Sequence, residues 1–574
     1  MHASHPTRRG VVFGAGSLAL TTAGPADQGL RVSVADFGVV PGVTDAGPGL
    51  RAAIAKLGKQ AGSTLHFPPG RYRFAARDGN AMVFDDMDHL SLEGAGAELL
   101  FNGTAAPLLM RGCHSPRLKG LTFDWERPPF SQGEVTGVGS DHKTVTLRID
   151  ADFSVDGSEQ IQQLGTYDRH TGAMTRGGID DGGSVAGASL VGPQMLQLTL
   201  KRPVPFKVGD TVVARHGNGP HALQMVNCQN LSIADVTIYA SPAMAIALGG
   251  CGGVSLQNVM VQPRPGSGRL LSTNADGLHC ASCSGEISVT NCTFSGMGDD
   301  GINVTGLYLA VKADKDRRTL TLTGGRRSPA PNYAAPQSGD RLLLVSGRTL
   351  KPIAEVQAQA VNAQNNGGWV VQVSSGDAAL NDEPMFAIDE RSRTQLQVSH
   401  CRFPGNRGRG VLAHSDTVIE DCVFEHQSGS AVLLAPDMYW QEGPAVERTV
   451  VRRNQMKDGN LLGRAPSAVW IGAFVSPDGR QGIATPEIIN RNIGVEHNVF
   501  IRPNGQAVAA VATRDLRIEQ NQIEHSGPIA FSLENVRNVR LQGNRCAPPA
   551  AIRVGSSSHN EVALSGNVGL RITS

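Results

Sequence analysis

The sequence predicts an all-β protein: a parallel β-helix, or solenoid, into which two excursions of the chain insert an antiparallel β-barrel domain. Three observations carry this prediction. The 574 residues include 69 Gly but few aromatic residues, a composition typical of turn-rich β architectures. Short strands of alternating apolar and polar residues recur about every 23 residues over much of the chain. Two long blocks show the same alternation without that period.

The first 26 residues have the features of an export signal. Arg8 and Arg9 precede a short apolar run from Val11 to Leu20, and small residues follow. This arrangement is typical of a twin-arginine signal, and the alternative is a disordered start. No other apolar run approaches the roughly 20 residues that a membrane-spanning helix needs. The mature protein is therefore expected to be secreted or periplasmic, with no membrane partner.

Residues 30–132 are predicted to form the N-terminal cap and the first coils of the β-helix. The phrases VADFGVVPGVTDAGPGLRAAIAKLG and TLHFPPGRYRF predict a strand, a helix and a first coil. They resemble the opening of pectin-degrading right-handed β-helix enzymes, which implies a right-handed coil here. A helix at this end would close the stack, as a solenoid requires.

Residues 217–306 and 395–574 carry the repeated strands. The phrases LRIEQNQI, VRLQGNRC and EVALSGNV place Asn521, Asn544 and Asn567 at equivalent positions, 23 residues apart. Leucine-rich repeats share this length, but their Leu-x-x-Leu-x-Leu skeleton and their helical half are absent. The pattern therefore favours a β-solenoid.

Earlier strands fit the same frame and reveal an interruption. When five earlier strands are aligned, one position of each falls in the same column. The strands are LSIADVTI, VSLQNVMV, ISVTNCTF, LQVSHCRF and TVIEDCVF, and the column is Val236, Val259, Cys292, Cys401 and Cys422. The step from Cys292 to Cys401 is 109 residues, which predicts an insertion. We assign residues 133–216 and 307–394 to the two parts of one inserted barrel, because both blocks read as antiparallel strands.

Charge and cysteine content exclude several classes of partner. The 52 Lys+Arg and 51 Asp+Glu leave a net charge of +1, which gives no basic footprint for nucleic acid or for an anionic membrane. The nine cysteines are interpreted as small buried side chains rather than as a disulfide framework. Cys280 and Cys283 form a CxxC without a partner pair, so zinc is not expected. No metal and no cofactor are predicted, and a homo-oligomer is left open.

Two near-copies of one phrase, Asp-Gly-Leu-His and Asp-Gly-Ile-Asn, contain Asp276 and Asp300, and a third aspartate, Asp299, directly precedes the second copy. Asp276 and Asp300 are 24 residues apart, which is one coil, so their side chains are expected to stack on neighbouring strands about 4.8 Å apart. Asp299 can reach the same groove at a different angle. The column is predicted to continue as Arg409 and then Ser430.

Such a group of carboxylates suits acid–base chemistry. Repulsion is expected to raise at least one pKa, whereas Arg409 is expected to hold a neighbouring carboxylate ionised. Separated pKa values assign an acid and a base. Inverting glycosidases use such a pair, with the two groups about 6.5–9.5 Å apart around a water molecule. The alternative is a calcium site or a set of solvated turn residues.

Several phrases resemble known glycoside hydrolases. NADG (274–277) followed by GDD (298–300) is similar to blocks of family 28 polygalacturonases, but the later Gly-His-Gly and Arg-Ile-Lys blocks of that family are missing. The chain more closely resembles glycoside hydrolase family 110, the exo-acting α-1,3-galactosidases known for removing terminal galactose from blood-group B structures. The matching phrases are FDWERPP (123–129), RLLSTNADGLH (269–279), GDDGINVTG (298–306), RGVL (409–412) and YWQEGP (439–444).

The resemblance implies metal-independent, inverting hydrolysis of a terminal α-1,3-linked galactose. It implies Asp299 as the general acid that protonates the glycosidic oxygen. It implies Asp276 and Asp300 as the pair that positions and deprotonates water. Gly301 and Thr305 depart from the Ala and His expected there, without affecting the carboxylates.

Further residues are predicted to contact the sugar. Trp125 and Trp440 lie in polar, Pro-bearing phrases, where each would stack on the apolar face of galactose or else serve as a core or end-cap residue. The side chains predicted to hydrogen-bond sugar hydroxyls, with simple solvation as the alternative, are Asp124, Arg269, Asn303, Arg409 and Glu442. His279 would orient a carboxylate or hydroxyl, with a structural histidine as the alternative.

Two other functions stay open at this point. A pectin hydrolase or lyase on the same fold would act on polygalacturonate, and a lyase would depend on calcium. A non-catalytic glycan-binding β-helix would extend its aspartate column over many coils, whereas this column changes to Arg409 after two. The sequence thus predicts an α-1,3-galactosidase acting on a galactose-terminated oligosaccharide or glycoconjugate, linear Galα1-3Gal and fucose-branched forms both being open.

Overall fold

The architecture is a parallel β-helix that carries two inserted β units. A computed structural model describes residues 29–573 except 76–78, 218, 316, 325–330, 366, 375–383 and 415. The predicted export signal, residues 1–26, lies outside the described residues and stays a prediction. In the part of the chain that is described, no helix combines the length and the apolar character needed to cross a membrane.

The β-helix is built from 35 strands in one wound sheet. Up to the second insertion its strands are Arg31–Ser33, Thr64–His66, Gly70–Phe74, Asn80–Asp85, Ser91–Phe101, Ala106–Arg111, Arg117–Trp125, Leu223–Val226, Gln229–Ala234, Thr237–Ile238, Ile246–Gly249, Gly252–Gln257, Met260–Val261, Leu278–Ala281, Ser284–Thr290, Thr293–Phe294 and Ile302–Leu307. After it they are Gln395–Ser399, Arg402–Pro404, Val411–Ala413, Thr417–Glu420, Val423–Glu425, Val432–Leu434, Glu442–Gly443, Glu447–Arg452, Gln455–Lys457, Ser467–Ile471, Asn490–Glu496, Val499–Ile501, Gln506–Glu519, Gln522–Glu524, Ile529–Gln542, Arg545–Val554, Val562–Ser565 and Val568–Thr573.

A single α-helix among the described residues, Gly47–Leu57, covers the N-terminal end of the stack. Pro48 stands in its first turn, where the missing N–H costs nothing. Leu50, Ala53 and Leu57 are buried and join the main hydrophobic core. The predicted capping helix is therefore present. Short 3₁₀ segments are Val34–Phe37, Asn332–Ala334, Glu390–Ser392, Pro477–Gly479 and Ser556–Glu561.

One interior column runs along the helix axis as the repeat predicts. Parallel pairing places the main-chain N–H of Cys292 3.4 Å from the Sγ of Cys401. Further along, Asn521 donates to the side-chain oxygen of Asn544 through both its main chain and its amide, at 3.0 and 2.9 Å. The residue before each column position turns the corner in a left-handed conformation, for example Asn291 with φ 56°. Asparagine tolerates that conformation because its side chain is short and polar.

The first excursion forms a sheet of its own. Seven antiparallel strands surround a separate apolar core that includes Phe130, Phe153 and Leu198. The strands are Phe130–Val138, Thr144–Ile149, Ile161–Tyr167, Asp180–Gly182, Val185–Gly192, Met195–Leu200 and Thr211–His216. We call this unit the inserted sheet.

The second excursion closes a barrel without help from the first. Its six antiparallel strands are Leu309–Ala313, Thr319–Thr323, Arg341–Ser346, Pro352–Ala363, Trp369–Val373 and Met385–Asp389. The predicted fold class, a parallel β-helix with an inserted antiparallel barrel, is confirmed. The two excursions do not share that barrel, however, because alternation along the chain predicts strands but not the strands with which they pair. A small hairpin, Phe474–Val475 with Ile483–Ala484, completes the described strands.

Candidate functional site

A cleft of about 990 Å³ opens where successive coils of the β-helix face the inserted sheet. Most of the lining residues are polar or charged, and three are aromatic. The lining residues that matter below are Gln163, Arg215, Asp276, His279, Asp299, Asp300, Asn303, Arg407, Arg409, Asp437, Trp440, Glu442, Arg464, Trp470 and Phe474.

The two Asp-Gly phrases stand one above the other at the floor of this cleft. Leu278 pairs with Ile302 in parallel register, and Ile302 pairs with Val411. Two residues earlier in each coil, the same register stacks Asp276, Asp300 and Arg409. The predicted column is thus confirmed.

The glycine of each phrase allows the coils to approach. A Cβ at Gly277 would lie 2.5 Å from the ring of Phe294 and 2.7 Å from the carbonyl oxygen of Gly301. A Cβ at Gly301 would lie 2.6 Å from the carbonyl oxygen of Gly410. Real Cβ atoms are not found at such distances from backbone, so any larger residue would push the aspartate-bearing turns apart.

Asp276 and Asp300 are buried and held by specific partners. The main-chain N–H of Arg409 donates to Oδ1 of Asp300 at 2.7 Å, and its guanidinium Nη1 lies 3.1 Å from Oδ2. Nδ1 of His279 lies 2.7 Å from Oδ2 of Asp276, and the main-chain N–H of Asp300 donates to Oδ1 of Asp276 at 3.2 Å. Both carboxylates are therefore fixed in orientation before any substrate arrives.

Asp299 stands apart from this pair. Its side chain is 46% exposed and faces the cleft, and Nη1 of Arg407 lies 3.7 Å from its Oδ2. One oxygen from each of Asp276, Asp299 and Asp300 lies within 4.8 Å of the others. The three carboxylates thus form one compact cluster with an open side.

Burial dominates the ionisation of this cluster. Desolvation by the walls of the cleft raises the pKa of Asp299 even though its side chain is in part open to solvent, and the charge of Asp276 adds to that effect. Burial also raises the pKa of Asp300 to about 7, against the attraction of Arg409. Arg409 lowers the pKa of Asp300, as its charge predicts, but the cost of burying the carboxylate is larger, so the pKa is raised overall. Asp299 and Asp300 therefore hold a proton more readily than an isolated aspartate does.

The spacing of the three carboxylates would also admit a cation. The donor set fits this use poorly, since Arg409 already occupies both oxygens of Asp300 and His279 occupies one oxygen of Asp276. A positive guanidinium in contact with a would-be ligand opposes a divalent ion. The chemistry of the residues favours acid–base work over metal binding.

Further polar groups surround the open side of the cluster. Nδ2 of Asn303 lies 3.5 Å from Oε1 of Glu442, and the buried His414 lies 3.8 Å from Oε2. Burial raises the pKa of Glu442 to about 7. For His279, burial lowers the pKa, but the hydrogen bond and charge of Asp276 outweigh it and leave the pKa raised. Trp440 is 46% exposed beside them.

Five of the eight predicted sugar-contacting residues line the cleft, namely His279, Asn303, Arg409, Trp440 and Glu442. Asp124, Trp125 and Arg269 do not, and their assignment to sugar binding is corrected. Asp124 is 1% exposed and accepts from Nη1 of Arg269 at 2.7 Å and from Nε of Arg264 at 2.7 Å. Trp125 is 1% exposed and packs against Phe101. These residues form a structural ion-pair network and a core contact at the base of the inserted sheet.

Sequence reasoning missed the residues that reach the cleft from outside the Asp-Gly coils. Gln163 and Arg215 come from the inserted sheet, and Arg464 comes from a later turn. Nη1 of Arg215 donates to the carbonyl oxygen of Gly298 at 2.8 Å, beside Asp299. No period links these positions to the aspartates. Arg407, two residues before Arg409 in the same turn, was the one member that the motif itself could have indicated.

Known enzymes resemble this chain in sequence. Residues 207–315, which contain all three aspartates, match the model of Glycosyl hydrolases family 28. The chain is 27% identical to Alpha-1,3-galactosidase B of Akkermansia muciniphila, over 92% of this chain and 71% of that protein. It is 26% identical to Alpha-1,3-galactosidase A of Shewanella woodyi, over 86% of each chain.

Solved structures are more distant. The catalytic domain of a GH87 alpha-1,3-glucanase in complex with nigerose aligns with a TM-score of 0.47 and 9% identity, over 95% of this chain and 70% of that one. A structural similarity this low does not locate a functional site. The sequence relatives, which extend far beyond the Asp-Gly coils, confirm the resemblance that the motifs indicated: along most of its length, the chain is a relative of the bacterial α-1,3-galactosidases.

Proposed function

We propose that the protein is an exo-acting glycoside hydrolase that releases a terminal, non-reducing α-1,3-linked galactose. The observation that carries the proposal is the cluster of Asp276, Asp299 and Asp300 at the floor of one cleft, with two carboxylates fixed by partners and a third facing the open space. The relatives named alpha-1,3-galactosidase supply the substrate class.

Asp299 is proposed as the general acid. Desolvation by the walls of the cleft raises its pKa, and it stands on the open side of the cluster. As the bond between galactose C1 and the glycosidic oxygen breaks, the Asp299 proton passes to that oxygen, which leaves as a hydroxyl group. A water attacks C1, and its proton passes to Asp276 or Asp300. One water is consumed and both products are neutral.

Inversion at C1 is proposed on the resemblance, not on the distance between carboxylates. The nearest oxygens lie within 4.8 Å, which is shorter than the roughly 6.5–9.5 Å expected between the two groups of an inverting pair. The oriented pair of Asp276 and Asp300 nevertheless suits a water-holding role, because its partners fix both carboxylates in orientation and each carboxylate oxygen has a second lone pair that can accept from water. The anomer of the released sugar decides this point directly.

Sugar recognition is assigned to the open side of the cluster. Trp440 is proposed to cover the apolar face of galactose, and Glu442 and Asn303 to bind its hydroxyls. A galactose-terminated glycan, either linear Galα1-3Gal or the fucose-branched blood-group B structure, is the proposed substrate.

Proton NMR of the first minutes of hydrolysis tests the proposal. Wild-type protein mixed with Galα1-3Gal or with Galα1-3(Fucα1-2)Gal is expected to release β-galactose first. The Asp299→Asn variant should lose about 10²- to 10⁴-fold in rate while keeping its circular dichroism spectrum, since that is the usual contribution of a general acid. Early α-galactose would contradict inversion. A near wild-type rate for Asp299→Asn would contradict the assigned acid, and no galactose from either substrate would remove the proposed function.

A further inference from the structure

The carboxylate of Asp180, a residue of the inserted sheet, lies at the edge of the cleft. Asp180 begins the strand Asp180–Gly182, and its side chain is only 3% exposed. Its Oδ1 and Oδ2 accept from Nε and Nη2 of Arg407 at 2.9 and 3.1 Å. Nη1 of Arg464 donates to Oδ2 at 2.7 Å, and the amide of Gln163 also donates to Asp180. A buried carboxylate with this many donors is held in one position.

Arg407 is the link between Asp180 and the proposed acid. Two of its nitrogens are taken by Asp180, and the third, Nη1, lies 3.3 Å from the carbonyl oxygen of Gly298 and 3.7 Å from Oδ2 of Asp299. Among the described residues, no side chain donates a hydrogen bond to the carboxylate of Asp299 within normal hydrogen-bond distance. Arg407 is therefore the nearest cation to Asp299, close enough to act through its charge and too far to bind the carboxylate directly.

The charges facing Asp299 are mixed. Asp276 and Asp300 oppose its ionisation, whereas Arg407, Arg409 and Arg215 favour it. Arg409 is committed to Asp300, and Arg215 to the carbonyl oxygens of Asn274 and Gly298. Arg407 is the cation of the β-helix that lies within 4 Å of the Asp299 carboxylate, and a carboxylate of the inserted sheet binds its guanidinium in a bidentate contact. Its placement therefore depends on Asp180.

We propose that Asp180 is a positioning residue for the general acid: it holds Arg407 where the guanidinium stabilises the Asp299 carboxylate that forms when the proton leaves for the glycosidic oxygen. The inference rests on the proposed function, because it assigns Asp299 that role. The bidentate contact with Asp180 also neutralises part of the Arg407 charge, so that Asp299 keeps its proton until the bond breaks. The inserted sheet is then part of the catalytic apparatus and not only a wall of the cleft.

Leaving-group dependence tests this inference. A poor leaving group such as the sugar alcohol of Galα1-3Gal needs a proton, whereas dinitrophenolate leaves without one. We expect Asp180→Asn to lower kcat on Galα1-3Gal by about 10- to 100-fold, part of the contribution of a general acid, and kcat on 2,4-dinitrophenyl α-galactoside by less than about threefold. Arg407→Lys, which retains a charge but cannot make the bidentate contact, should show the same selectivity.

Asp181→Asn is the matched control. Asp181 is the next residue of the same strand, is equally buried, and is paired with Arg202 away from the cleft. Asp181→Asn should not lower kcat on Galα1-3Gal more than it lowers kcat on 2,4-dinitrophenyl α-galactoside. Equal losses on both substrates, or unchanged rates, for Asp180→Asn and Arg407→Lys would overturn the inference. If Asp180→Asn fails to fold, Arg407→Lys alone decides between these outcomes. Wild-type protein inactive on both substrates would instead remove the proposed function, and this inference with it.

Discussion

At the scale of single residues, the repeated Asp-Gly phrase has a packing explanation as well as a chemical one. Asp276 and Asp300 can stack only because Gly277 and Gly301 leave room for the neighbouring coil. An alanine at either position would meet main-chain oxygen atoms of the next coil, which cannot move aside like the end of a flexible side chain. Chemistry and close approach are therefore encoded in the same dipeptide.

Glu442 contributes a pH-dependent cost to stability. Burial raises its pKa from 4.5 to about 7, so the fold prefers the protonated form. Stability is full below the unfolded-state pKa and falls as pH rises through about 7, because the buried group must ionise. We expect Glu442→Gln to raise the free energy of unfolding by about 2–3 kcal/mol at pH 8 and by little at pH 5. Melting temperatures at the two pH values measure this.

The exposed Glu534 provides the comparison for this prediction. Glu534→Gln should leave the difference in melting temperature between pH 5 and pH 8 unchanged. A Glu442→Gln variant that is less stable than wild type at pH 8 would show that the carboxylate is held by compensating contacts and does not carry a net cost.

The residues of the cleft were predictable where the repeat connects them and unpredictable elsewhere. Asp276, Asp300 and Arg409 follow from one spacing, and Asp299 follows from adjacency. Trp440 and Trp125 lie in similar polar phrases, yet one faces the cleft and the other is buried against Phe101. Local composition cannot separate these cases, because burial depends on which face of the coil a side chain occupies, and Trp125 lies in the interior core of the β-helix.

At the scale of elements, the asparagine column is a continuous hydrogen-bonded ladder. Asn521 accepts from the main chain of Asn498 at 2.9 Å and donates to the carbonyl oxygen of Val495 at 2.8 Å. We expect Asn521→Ala to lower the free energy of unfolding by about 3–5 kcal/mol, because each buried group left without a partner costs about 1–3 kcal/mol. Thermal unfolding followed by circular dichroism measures this.

The last step of the ladder serves as its control. Asn567 makes the same contacts to Asn544 but is only half-buried, so water can replace its side chain. Asn567→Ala should therefore cost about 1 kcal/mol. Equal costs at both positions would mean that the ladder hydrogen bonds do not explain the repeat.

The period predicted the coils well and the excursions poorly. Strands one coil apart, such as Ile302 over Leu278, are fixed by a repeat that is visible in the chain. The strand Phe130–Val138 pairs with Thr211–His216 across the five other strands of the inserted sheet, which lie between them in the chain, and nothing in the alternation selects that partner. Sequence reasoning therefore found both insertions but joined them into one barrel.

At the scale of the whole molecule, the described residues form no disulfide bonds. All nine cysteines are free and buried, and several form part of the interior column. We expect neither a thiol reductant nor a chelator to change the melting temperature or kcat. A loss restored by oxidation would reveal a disulfide. A loss restored by calcium would show that the three aspartates hold a cation.

The ion pair between Asp180 and Arg464 joins residues 284 positions apart in the chain. A ribosome adding roughly 5–20 residues per second needs about 15 to 60 s to deliver the second partner after the first. During that interval the aspartate-bearing coils can already be wound, but the far wall of the cleft does not exist. Catalytic competence consequently requires synthesis to continue well beyond the aspartate-bearing coils, because the cleft is lined by residues as late as Gly482.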